Sequence, residues 1–133
     1  MLLADYAQEA GGKLNILGGG WSVRPVEPLA RMAIALKLSF EWHEANAPVP
    51  FVLRLVTQDG QPVNDPAGTP INIEGVVEAG RPPGLPPGTD LDSAMALNLM
   101  FPLGVGSYRW ELDLNGTRAA QEPFMVRGPG PGG

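Results

Sequence analysis

The sequence carries one histidine, His43, set between carboxylates in Glu41-Trp42-His43-Glu44. Acidic neighbours within reach of an imidazole raise its proton affinity, so this segment is a candidate base or pH-sensitive contact. A zinc hydrolase needs a second histidine in His-Glu-x-x-His, and the chain has none. A hydrolase of another kind would require His43 in a concave pocket beside a carboxylate. The simpler expectation is a solvated residue at the end of a strand. Asp90-x-Asp92 with a backbone carbonyl offers the hard oxygens that calcium takes, without the other positions of an EF-hand loop, while Asp59 and Asp65 flank a turn. Aspartates placed before strands also serve turns. Glu74 and Glu78 share a strand face at about 13 Å, beyond the roughly 5–9.5 Å of a paired-carboxylate mechanism. Gly18-Gly19-Gly20 lacks the Gly-Lys-Ser/Thr of a phosphate loop and has no helix to launch. Its expected task is structural: close backbone passage near the bulky Trp21, or a bulge between strands. The reading assigns no catalytic residue, no metal ligand and no cofactor.

Composition narrows the classes further. The 133 residues include 9 Lys+Arg against 14 Asp+Glu, a net charge of −5, so no basic field is available for nucleic acid or an anionic membrane. Cysteine is absent, which removes disulfides, thiolate metal sites and a cysteine nucleophile. Gly 18 and Pro 15 supply many turns, yet 44% of residues are hydrophobic and fall in alternating runs. The length suits one domain, expected over residues 1–127, with a flexible Gly/Pro tail at 128–133. Met1–Ala4 is apolar but short, with no basic residue before it, and no run approaches a membrane span. A cytoplasmic protein is expected. Asn115-Gly116-Thr117 matches a glycosylation acceptor, but Asn-Gly is read here as a tight turn.

The elements that must position these residues are strands. Met32, Ile34, Leu36, Leu38, Phe40 and Trp42 share one parity, and Arg31, Ala33, Ala35, Lys37, Ser39 and Glu41 share the other. That pattern predicts a long strand over Arg31–Trp42 with one buried and one wet face. Phe51–Thr57, Ile71–Glu78 and Ser93–Phe101 repeat the alternation, though the second face of Ser93–Phe101 is weakly polar and suits a covered position. Tyr108–Leu114, the turn at Asn115-Gly116 and Ala119–Val126 predict a C-terminal hairpin. Leu2–Tyr6, Leu14–Leu17 and Trp21–Arg24 are shorter candidates, with one helical turn allowed between Glu9 and Lys13. About eight strands with no helical period predict an all-β fold. The expected form is an immunoglobulin-like, two-sheet antiparallel Greek-key sandwich, with a small β-barrel as the alternative.

Binding surfaces are sought where this pattern leaves residues uncommitted. Val52 and Val56 make the second face of Phe51–Thr57 partly apolar around Arg54, which suits a sheet face or edge completed by another protein. The segment Arg81–Gly88, with Pro82, Pro83 and Pro86, is predicted to be an extended loop and a second protein-binding candidate. Tyr6, Trp21 and Arg24 form the candidate patch for a carbohydrate or small ligand.

Leu2-Leu3-Ala4-Asp5-Tyr6-Ala7, then Gly12-Lys13-Leu14-Asn15-Ile16-Leu17-Gly18-Gly19-Gly20-Trp21, resembles a family of small uncharacterised bacterial proteins. The likeness extends to the closing hairpin Gly106–Gly116 and covers nearly the whole chain. It implies a bacterial, intracellular β-sandwich and a shared structural task for Gly18–Trp21, with no catalytic residues to carry over. The resulting expectation is a non-enzymatic module that binds protein, either its own copies or another bacterial component. Ligand binding and hydrolysis are the alternatives.

Overall fold

A period of two governs the computed structural model, which describes residues 1–129. Ten strands follow in order: β1 (Leu2–Ala4), β2 (Tyr6–Ala10), β3 (Lys13–Leu17), β4 (Val23–Pro25), β5 (Ala30–Phe40), β6 (Val49–Thr57), β7 (Asn72–Val77), β8 (Leu91–Phe101), β9 (Gly106–Leu114) and β10 (Thr117–Arg127). They form three sheets, ordered β1-β5-β8, β4-β10-β9-β6-β7 and β2-β3. The fold is all-β, as predicted. The expected flexible tail lies largely outside the described residues.

The inward parity read from the sequence is the one observed. Met32, Ile34 and Leu36 of β5 are buried in one cluster with Leu53 and Leu55 of β6 and Trp110 and Leu112 of β9. That cluster joins the three-stranded and five-stranded sheets. Trp110 is fully enclosed; its indole N–H donates to Met32 Sδ at 3.3 Å, and Phe101 meets its ring edge-on at 6.2 Å. Both contacts suit an aromatic that must bury a large area and still place one polar hydrogen.

Three local expectations are corrected. The stretch read as one strand, Leu2–Tyr6, breaks at Asp5 into β1 and β2, which belong to different sheets. Instead of a helical turn, Gly11 and Gly12 form a tight hairpin turn, with φ of +60° and +78°. Two successive left-handed residues give the turn whose twist matches that of its strands. Trp42 leaves the long strand for a 3-10 turn, Trp42–Glu44, and Glu41 N–H donates to the Glu44 carboxylate at 2.8 Å. The sheets are also not wholly antiparallel, because β4 runs parallel to β10, pairing Val23 with Met125. Pro25 is tolerated there because β4 is an edge strand, with one side free of ladder bonds.

The second face of β5 is the largest departure from the expected pattern. Ala33 and Ala35, assigned to a wet face, are buried with Ala4 and Ala7 in a second cluster under the β2–β3 hairpin. Alanine reads as neutral in an alternating pattern, so its burial is invisible until a partner is found. The weakly polar face of β8 has the same explanation, since Ala96 packs on this cluster. Asn98 of β8 fastens the hairpin. Its amide accepts from Ala7 N–H at 3.2 Å and donates to Ala7 C=O at 2.7 Å, as a neighbouring strand would. Asn98→Leu keeps the shape and leaves both Ala7 groups unpaired, which is expected to cost about 1–3 kcal/mol. Urea unfolding would measure the loss, and hydrogen exchange should show it concentrated in the amides of β2 and β3.

Candidate functional site

Strands β6, β9 and β10 place the charged parity of the sequence on the outer face of the five-stranded sheet. There the side chains form a continuous ion ladder. Arg54 lies 2.6 Å from Asp113, Asp113 lies 2.6 Å from Arg118, Arg118 reaches Glu111 at 3.0 Å, and Glu111 meets Arg109 at 2.8 Å. Burial pushes the Glu111 carboxyl up, but Arg109 and Arg118 together outweigh it and hold its pKa below the ordinary value. Hydrogen bonds from Arg54 and then Arg118 lower that of Asp113. Asp113 in turn raises the pKa of Arg118. The alternation Arg109, Glu111, Asp113 was visible in sequence, but the cross-strand partners Arg54 and Arg118 depend on register.

Of the predicted protein-binding residues on β6, Val52 and Arg54 are half-buried beside this ladder, whereas Val56 is buried and bridged to Pro62. The more open part of the face lies at the other edge. Val23 of β4 and Met125 of β10 are register partners, 47% and 46% exposed. With Tyr108, Arg109, Pro123 and Gln58 they line a groove of about 380 Å³. Sequence reasoning missed Val23, Pro123 and Met125 because it placed none of them on a shared face; the parallel pairing of β4 does so. Tyr108 closes one side, its hydroxyl donating to Gly104 C=O at 2.8 Å, and burial pushes its phenol pKa up.

The predicted ligand patch is only partly assembled. Arg24 lies over the Trp21 ring at 4.8 Å, and Phe124 meets that ring edge-on at 5.8 Å. Trp21 Nε1 is buried without an acceptor. Arg24 also pairs with Asp5, at 2.5 Å, so cation and aromatic are engaged with each other and with the chain. Tyr6 is exposed but lines a different groove, with Arg31 and Met100. The three glycines before Trp21 are structural, but the close neighbours are Asp5, Ile16 and Leu2 and not the Trp21 ring. A Cβ at Gly18 would overlap the Asp5 carboxylate, and one at Gly19 would stand 2.8 Å from Ile16. Gly20 N–H donates to Leu3 C=O at 2.7 Å, while Asp5 N–H donates to Leu17 C=O at 3.0 Å. The segment is a lock between β1, β3 and β4.

Residues 1–127 match the model of a family described as of unknown function, DUF6941. The chain belongs to that family. Neither the curated proteins nor the solved structures yielded a match. In this DUF6941 chain the remaining candidates are dispersed. Pro82, Pro83 and Pro86 are exposed between β7 and β8, in a loop whose root is pinned by Arg81, stacked 4.4 Å from Trp42 and donating to its carbonyl at 2.7 Å. His43 is on the surface, 75% exposed, with Nδ1 3.2 Å from Glu41. Asp65 accepts from Ala67 N–H and Thr69 N–H in its own turn, and Asp92 faces Lys37 at 3.7 Å. Among the described residues no three His, Cys, Asp or Glu groups gather around one point. No helix among them is long and apolar enough to cross a membrane.

Two measurements test this DUF6941 geometry. Gly11 and Gly18 share φ +60°, but only Gly18 faces a neighbour. Gly11→Ala is expected to lose about 1–2 kcal/mol for the left-handed backbone alone. Gly18→Ala should lose clearly more in the same chemical denaturation, because it also displaces Asp5. The ladder sets the acid response. Its two carboxylates have lowered folded pKa values, so their contribution is complete above the unfolded values near ~4. It disappears as pH falls through the lower folded values. Thermal melts from about pH 7 to pH 2 should therefore fall steeply in acid, and less steeply for Glu111→Gln combined with Asp113→Asn.

Proposed function

We propose that this chain is a non-enzymatic protein-binding module of a bacterial cytoplasm, built as an immunoglobulin-like two-sheet sandwich. The architectural part is supported by the N-terminal run, which pairs first in the three-stranded sheet as β1 and then in the five-stranded sheet as β4. It is also supported by the single core shared by β5, β6, β8 and β9. The docking surface is the outer face of the five-stranded sheet. One observation carries that choice: Val23 and Met125 stand side by side and exposed, at the lip of the groove next to Arg109. An apolar strip bordered by a satisfied ion ladder has the character of an interface core and its polar rim.

A second reading rests on the same groove. Its volume of about 380 Å³ falls within the usual range of small-ligand sites, and Val23, Pro123 and Met125 supply apolar lining beside Arg109. The carbohydrate version centred on Trp21 has less support, because Arg24 occupies one face of that ring.

Met125→Glu tests the first reading. Its side chain points outward, so the melting temperature should hardly change, while recovery of a near-stoichiometric partner from the source lysate should drop at least about tenfold. Light scattering on the purified chain distinguishes a second copy from another protein. Unchanged partner recovery, or no partner for the unaltered chain, would count against the groove as a protein site. Saturable binding of a small molecule with Met125-dependent affinity would favour the second reading.

A further inference from the structure

We propose that the outer face of the five-stranded sheet packs against the same face of a second copy of this chain, related to it by a two-fold axis. This deepens the protein-binding reading of that face and rests on it, by naming the partner.

Two strips of opposite charge stand at the two edges of the face. Directly opposed residues on neighbouring strands share a face, so the register fixes both strips. On the β4–β10 side, Val23 and Met125 lie between Arg109, whose β10 neighbour is Pro123, and Arg127, which is opposite Pro25. On the β7 side, Val76 and its register partner Pro50 lie between Glu74 and Glu78. Glu74 is opposite Val52, and Val52 is opposite Asp113 of the ion ladder, so the face is the same. Val76 is 60% exposed, and Glu74, Glu78 and Arg127 are exposed, while the intervening Val77, Ala79 and Val126 are buried. Glu74 to Glu78 and Pro123 to Arg127 each span four residues, about 13 Å of strand. One strip therefore reads cation, apolar, cation, and the other reads anion, apolar, anion, at one spacing.

The charges of both strips are available. Among the described residues Arg127, Glu74 and Glu78 form no ion pair. The cations near β7 are committed elsewhere, Arg54 to Asp113 and Arg81 to the Trp42 carbonyl. Beside the positive strip, Glu27 is held by Arg24 at 3.7 Å, and Asp59 lies in the turn after β6. The ladder has three guanidiniums for two carboxylates, and Arg109 stands at its groove end.

Symmetry completes the fit. A two-fold axis lying in the interface and crossing the ladder sets each positive strip on the other copy's negative strip, so both contacts form at once and the assembly closes. Val23 and Met125 then cover Val76 and Pro50. The ladder is matched within each copy, so enclosing it strands no carboxylate. Five strands, with nine residues in β6 and in β9, give a face of about 700 Å², comparable to the ~800 Å² per partner of a standard interface.

Sedimentation velocity over a concentration series tests the proposal. The unaltered chain should pass from one copy to two, and no further, as concentration rises. Arg127→Glu and Glu78→Arg each reverse one exposed charge, so circular dichroism should be unchanged while the dimer dissociation constant rises at least about tenfold. Mixed in equal amounts, the two variants should form dimers again, because each supplies the charge that the other lacks. The proposal is overturned by a chain that stays single at every concentration, by a dimer that neither reversal weakens, by variants that mixing does not rescue, or by assembly beyond two copies. A chain that stays single yet binds a Met125-dependent partner from the lysate overturns this inference alone and leaves the groove reading standing.

Discussion

Asp5 holds the two halves of the structure together. Its N–H closes the hairpin on Leu17, its carboxylate fits against Gly18, and its charge pairs with Arg24. Arg24 covers Trp21, and Trp21 abuts Phe124 of the last strand. A line of contacts thus runs from the edge of the three-stranded sheet to the edge of the five-stranded one. The chain changes sheet between β1 and β4, and the hairpin inserted at that change is held at its base by these contacts and over β8 by Asn98. The aspartate, glycine and arginine together fix that base. The backbone bond and the close fit against Gly18 carry most of this, because the Asp5 carboxylate is largely exposed and such an ion pair is worth little.

The hairpin converts one face of β5 from a surface into an interior. Small side chains make this possible: Ala7, Ala33 and Ala35 allow two backbone layers to approach closely, with no room for longer side chains. Burial of such residues removes little apolar area each, so directional bonds do the orienting. Asn98 supplies them by presenting an amide that matches a strand's own donor and acceptor. Elsewhere the sheet faces are conventional, with the large aliphatic residues and Trp110 inside and the Arg54–Asp113–Arg118–Glu111–Arg109 series outside.

Much of the strand inventory was legible in sequence because alternation is a local signal. Met32 to Phe40 and Tyr108 to Leu114 declare their inner faces without reference to anything else, and Asn115-Gly116 turns with φ of 52° and 81° as its residues demand. Asp5 could not be read as a break, since neither glycine nor proline marks it. The parallel pairing of β4 was hidden because parallel strands need no adjacent turn. Alanine concealed the hairpin's footprint, and the ion ladder needed register that single-strand periodicity does not contain. The groove lip at Val23 and Met125 joins residues about a hundred positions apart in sequence, which no local pattern can bring together.

That separation has a temporal meaning. β4 bonds only to β10 within its sheet, and Val26 N–H donates to Arg127 C=O at 2.8 Å. On the ribosome, the N-terminal segment emerges long before its partner is made. The β2–β3 hairpin forms from neighbours at once, but the Trp21–Phe124 contact waits for the final residues of the fold. Contacts spanning most of a chain carry a large closure entropy before they return any stabilisation, and folds dominated by them assemble in milliseconds to seconds. During that interval the open side of β4 is accessible, so β10 also governs how long β4 and Trp21 stay without their partners.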